Sequence, residues 1–145
     1  MFNLNVEVIY LPKATNPNAL CDALEQGTPF SAGYDLRANI AEPIKLTNVP
    51  IMIPTGIKLN MLKSAKPIVG IVKLARTIGV IDRDYQGEIM LGMYCSSLDG
   101  YMLNPNERVA QIVFTSYEPV DLRQVQKFDS ISERGEGGFG HTGKQ

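Results

Sequence analysis

Histidine, cysteine and net charge are scarce in this 145-residue chain, and each shortage closes off a class of function. The single histidine, His141, excludes a metal site built on several histidines. Cys21 and Cys95 match neither a metal-ligand spacing nor a disulfide framework, so two reduced thiols are expected. A catalytic Cys–His pair needs a thiol beside His141, and nothing in the spacing brings either one there. Fourteen Lys and Arg against fifteen Asp and Glu give a net charge of −1, without the basic surplus of a protein that binds nucleic-acid polymers. No apolar run approaches the roughly 20 residues of a membrane span, so no membrane partner is expected. The opening Met1-Phe2-Asn3-Leu4-Asn5-Val6 has neither a basic start nor a long apolar stretch, so no signal peptide is expected and the cytoplasm is the expected location. The common phosphate-loop signatures, G-x-x-x-x-G-K-[ST] and a strand-to-helix G-x-G-x-x-G, are also missing.

What is present reads as a single all-β domain, long enough to bury a core. Short apolar runs alternate with turn formers. Val6 to Tyr10 is a first strand closed by Pro12, and residues 13–29 are a polar loop in which 19–24 form a helical turn or two. Residues 34–38 and 44–46 alternate. Residues 50–54 are a strand bracketed by prolines, and 57–61 alternate again after Thr55-Gly56. Residues 68–74, 88–94 and 108–114 complete the set. Strands at this spacing, with little helix, predict a β-sandwich or jelly roll.

Four segments carry chemistry. Ser31-Ala32-Gly33-Tyr34-Asp35-Leu36-Arg37-Ala38 puts Asp35 on a strand, as a candidate Mg²⁺ ligand or a solvated residue. In Gly79-Val80-Ile81-Asp82-Arg83-Asp84-Tyr85-Gln86-Gly87, an apolar triplet delivers Asp82, then Asp84 and Tyr85. A carboxylate beside a ring is suited to orienting water next to a sugar, while Asp and Gly are also ordinary turn residues. Asn104-Pro105-Asn106-Glu107-Arg108-Val109-Ala110-Gln111 turns into a strand bearing Gln111, a candidate phosphate or water ligand. Arg134-Gly135-Glu136-Gly137-Gly138-Phe139-Gly140-His141-Thr142-Gly143 holds five glycines around one aromatic. Backbone without Cβ atoms can close its N–H groups around an anion, Arg134 adds a planar charged fork, and Phe139 offers a face for a base. Taken alone, such a composition more often marks a disordered terminus.

In this order, from about Ser31 onward, the four segments resemble the motifs of the trimeric dUTP diphosphatases. The resemblance implies a jelly-roll subunit (residues 1–132) and a glycine-rich nucleotide lid (133–145), assembled as a homotrimer with three shared sites. It implies Asp35 as the residue that seats Mg²⁺ and Asp82 as the carboxylate that orients water for attack on the α-phosphorus. Asp84 belongs to the same binding segment, and Tyr85 is the ring that packs on deoxyribose. Gln111 becomes a phosphate and water ligand, and Arg134 the grip on the γ-phosphate. Phe139 stacks on the base, with Gly137, Gly138, Gly140, His141 and Thr142 completing the lid. The implied reaction is phosphoryl transfer to water, dUTP giving dUMP and pyrophosphate.

One motif departs from the family pattern. The family's Pro-Arg-Ser and the arm whose Asn reads uracil are missing from a shortened segment between Gly56 and Asp82. Either Leu62-Lys63-Ser64-Ala65-Lys66 stands for the lost motif and Arg76 replaces the Asn, or residues 57–61 and 68–74 form a hairpin and Leu74-Ala75-Arg76 is its remnant. The hairpin is the preferred expectation, because it pairs two alternating strands around a turn-forming Lys63-Ser64-Ala65-Lys66-Pro67. Three function classes follow: a diphosphatase for dUTP or a related nucleotide with altered base choice, an inactive trimer that sequesters a nucleotide such as a larger purine-containing signal, and a protein-interaction scaffold. Compact variants of the family recur in viral genomes.

Overall fold

A computed structural model describes residues 4–74 and 78–140 of the chain. Among them lie nine strands and no helix: β1 Glu7–Tyr10, β2 Tyr34–Arg37, β3 Ile44–Leu46, β4 Ile51–Asn60, β5 Ile68–Lys73, β6 Ile78–Ile81, β7 Glu88–Met93, β8 Tyr101–Leu103 and β9 Arg108–Ser116. All pairs are antiparallel, and they build a three-stranded sheet β1-β4-β7, a four-stranded sheet β2-β9-β5-β6 and a two-stranded ribbon β3-β8. This is the all-β sandwich of jelly-roll type that the strand spacing predicts.

Period-two alternation decides what the sheets enclose. Ile53, Ile57 and Leu59 of β4 and Ile89 and Leu91 of β7 turn inward from one sheet; Leu36, Val72 and Ile112 meet them from the other. The intervening residues of β2, β5 and β9 face outward, and the polar candidate residues stand among them.

Three local expectations are corrected. Residues 50–54 and 57–61 are one strand, interrupted but not ended by Pro54-Thr55-Gly56. Opposite β7 the register runs from Pro54↔Met90 to Lys58↔Glu88, so β4 spends four residues where its partner spends two. Pro54 has no N–H to give the ladder. Buried Thr55 supplies a donor instead, its hydroxyl reaching the Ile89 carbonyl at 2.7 Å, and Gly56 takes the left-handed conformation at φ 73° that closes the bulge.

The hairpin between 57–61 and 68–74 does not form. Both edges of β4 are already taken, by β1 and β7, so β5 has no place beside it and pairs with β9 and β6 in the other sheet. The turn after Asn60 is a crossover between sheets. Nor do residues 19–24 form a helical turn. The Ala19 carbonyl accepts from Lys13 N, Cys21 N donates to Leu11, and Leu20 bridges Pro12, so the loop's hydrogen bonds go to the preceding chain. A Lys13–Asp22 ion pair at 2.8 Å clasps the fold-back. Cys21 and Cys95 are both free thiols.

A Cβ at residue 56 would collide with the Cys21 sulfur and sit 3.0 Å from Asn39 Nδ2, on top of the left-handed φ. Gly56→Ala is therefore expected to cost about 1–3 kcal/mol from backbone strain alone, with the clash added. Adding Cys21→Ala should recover only the clash. Denaturant melts of the two variants that coincide would refute this division.

Candidate active site

The first cluster is a row across three strands. Asp35 on β2 lies opposite Gln111 on β9, and Gln111 lies opposite Lys73 on β5. Directly opposed residues share a face, and the buried Leu36, Ile112 and Val72 show that this face is the outer one. Gln111 bends over Gly33: a Cβ there would come within 2.8 Å of its Oε1. An Arg108 guanidinium nitrogen stands 3.7 Å from an Asp35 carboxylate oxygen. Asp35, Lys73, Leu74, Arg108 and Gln111 line an open depression of about 400 Å³.

The second cluster is the turn after β6. Tyr85 N bonds the Asp82 carbonyl at 3.0 Å, closing a turn that leaves Asp82, Asp84 and Tyr85 exposed. Arg83 points the other way. Its guanidinium donates to the carbonyls of Met61 (3.4 Å), Leu62 (3.2 Å) and Ser64 (3.1 Å), tying the turn to the crossover. Gln86 reaches Asn60 at 3.3 Å, Asn60 bonds Glu7 at 2.7 Å, and Lys63 pairs with the same Glu7 at 3.3 Å. The Asn60 amide, with Lys63 behind it, holds the Glu7 carboxyl below its ordinary range. Tyr85 is fixed by its hydroxyl, which donates to the Glu88 carbonyl at 2.8 Å, and by its ring, which lies where a side chain on Gly87 would be.

The third cluster is the tail. Among the described residues, the last backbone bond from this end of the chain to the sandwich is Tyr117 N to the Pro67 carbonyl. Beyond it, consecutive turns at 132–135 and 134–137 fold the chain on itself, and Arg134 Nε donates to the Gly137 carbonyl. Gly138 and Gly140 have open space where a Cβ would be, and Phe139 is fully exposed. Arg76, His141 and Thr142 lie outside the described residues.

These clusters do not converge within one chain. With strands about 4.8 Å apart and residues about 3.3 Å along them, Asp82 stands roughly 20 Å from Asp35. Ser64 is withdrawn from any site: it is 6 % exposed, and its hydroxyl lies buried without a hydrogen-bond partner. Sequence reasoning missed Lys73 and gave Arg83 and Arg108 no role. The signal for Lys73 was available, as the one charged residue ending the run Ile68-Val69-Gly70-Ile71-Val72. Among the described residues no group of three or more acids, cysteines or histidines is placed to hold a metal. The lone Asp35 carboxylate fits an ion kept by one protein ligand and the substrate's phosphates, which is magnesium's habit.

A sequence model of the dUTPase family matches residues 21–143. The chain belongs to the dUTPase family. It is 39 % identical over 127 residues to the deoxyuridine 5′-triphosphate nucleotidohydrolase of Fusobacterium nucleatum, covering 81 % of this chain and 86 % of that one. To the enzyme of the same name from Sodalis glossinidius it is 40 % identical over 129 residues, covering 81 % and 85 %. Its fold is similar to that of the Staphylococcus bacteriophage 80alpha dUTPase with dUPNHPP, at a TM-score of 0.76 and 23 % identity over 98 % of this chain and all of that one.

Two outcomes follow from the geometry. Gly33→Ala should swing Gln111 out of the row and lower turnover about tenfold, equivalent to about 1.4 kcal/mol, with little loss of thermal stability; unchanged turnover would mean that Gln111 works from another rotamer. Arg83→Met should cost about 1–3 kcal/mol and speed amide exchange in residues 61–64 and 82–86 together. Exchange that quickens in only one of these segments would contradict the tie.

Proposed function

We propose that this chain hydrolyses dUTP to dUMP and pyrophosphate in a Mg²⁺-dependent, homotrimeric site with loosened base selection, acting in the cytoplasm (the host's, if a virus encodes it). The observation that carries the reading is the separation of Asp82 from the Asp35–Gln111 row, two halves that only a second copy can complete. An apolar row beside the polar one, Ile71 with Val80 and Val113 on the same outer face, supports such a contact. So do Leu122, Phe128 and Ile131, which the arm after β9 carries largely uncovered.

In this reading residues 1–132 form the body and 133–145 the lid. Asp82, free of any basic partner among the described residues, orients and deprotonates the attacking water. The pinned Tyr85 ring packs on deoxyribose and leaves no room for a 2′-hydroxyl. Gln111 and Arg134 hold phosphate oxygens, and Phe139 covers the base while the glycines close their N–H groups over the phosphates. Magnesium supplies charge neutralisation on those phosphates when bound. The arm that pairs with the uracil edge is absent, so the discrimination of about 10⁴–10⁵ that a buried polar pocket gives is not expected.

The test is hydrolysis with Mg²⁺ of dUTP, dCTP, dTTP, dATP and dGTP, wild type beside Asp82→Asn. Turnover of dUTP together with at least one other nucleotide is expected, and Asp82→Asn should reduce it about 10²–10⁴-fold. Turnover of dUTP alone would overturn the loosened base choice. Nucleotide bound and recovered intact would overturn hydrolysis in favour of capture, the reading that the missing arm also favours.

A further inference from the structure

We infer that Lys73 binds the oligophosphate of the nucleotide, at the end of β5 just before the Leu74-Ala75-Arg76 remnant. The inference rests on the nucleotide-site reading above and adds a residue to it. Lys73 is the third member of the Asp35–Gln111 row and stands one strand beyond Gln111 on the same exposed face. Adjacent strands are about 4.8 Å apart, so its four-carbon stem is long enough to reach the Gln111 side chain across the depression that both residues line.

Its surroundings leave that charge uncommitted. Among the described residues Lys73 joins no ion pair or hydrogen bond, whereas the neighbouring Arg108 is turned toward Asp35. On the other side of Lys73 the row continues with apolar Ile78 of β6. Asp35 is the one acid lining the depression, and it lies two strands from Lys73. β5 is otherwise built of Ile, Val and Gly, so neither packing nor sheet propensity calls for a lysine at its exposed end.

Ser64, from the alternative alignment, is buried in the crossover with Arg83 bonded to its carbonyl. An ammonium and a carboxamide side by side, with a carboxylate beyond them for the cation, match a chain of phosphates that brings its own magnesium. A lysine ammonium on the phosphates also predicts that the pyrophosphate product binds this chain in a salt-sensitive way.

Calorimetric titration of the full chain with inorganic tripolyphosphate and Mg²⁺ tests this without a base or a reaction. Lys73→Met should weaken tripolyphosphate about 10- to 100-fold, the span of a charge-assisted hydrogen bond, with Lys73→Arg restoring most of the loss. In dUTP kinetics Lys73→Met should raise KM more than it lowers kcat. Unchanged affinity in Lys73→Met, or equal losses in the Met and Arg variants, would overturn the assignment. A wild type that binds tripolyphosphate through Lys73 yet turns over no nucleotide would overturn the hydrolytic reading and leave Lys73 in place.

Discussion

The polar row of the candidate site depends on the position of β9 between β2 and β5. A strand with a neighbour on each edge cannot slip by one residue without sending Ala110 and Ile112 to solvent and Gln111 into the core. Burial of those apolar side chains therefore fixes the register, and the register sets Asp35, Gln111 and Lys73 in line. The polar row needs no polar contacts of its own to be held in order. It is the outer consequence of an inner packing requirement.

The Asp82 turn is held by a different means. It leaves the edge strand β6, where one neighbour rather than two defines the chain, and polar ties take over. Arg83 grips three carbonyls of the crossover, and Gln86, Asn60, Lys63 and Glu7 link the turn to β1 and the end of β4. The crossover is thus clamped by a side chain from the turn that it must support.

The sequence made the strands legible because alternation and turn formers are local. β2, β5, β7 and β9 lie close to where period two puts them. Partnership was not legible, since the hairpin between 57–61 and 68–74 satisfies every local rule and fails only because β1 and β7 already occupy both edges of β4. The Thr55-Gly56 interruption read as a strand end for a similar reason: a threonine hydroxyl standing in for the proline's missing donor is a tertiary event. Asp35, Gln111 and the Asp82 segment were found through motifs. Lys73 was overlooked because its significance comes from the residue across the strand. The tail was recognisable by composition, but its self-bonded Arg134 was not.

That self-bond changes how the lid is to be understood. In the free chain Arg134 Nε is bonded to the Gly137 carbonyl, and the two terminal nitrogens of this exposed side chain keep their N–H donors for other acceptors. The turns at 132–135 and 134–137 hold the same curl, while among the described residues no backbone bond beyond Tyr117 reaches the sandwich. Order at this end of the chain is therefore local, and it does not depend on the angle the segment makes with the body.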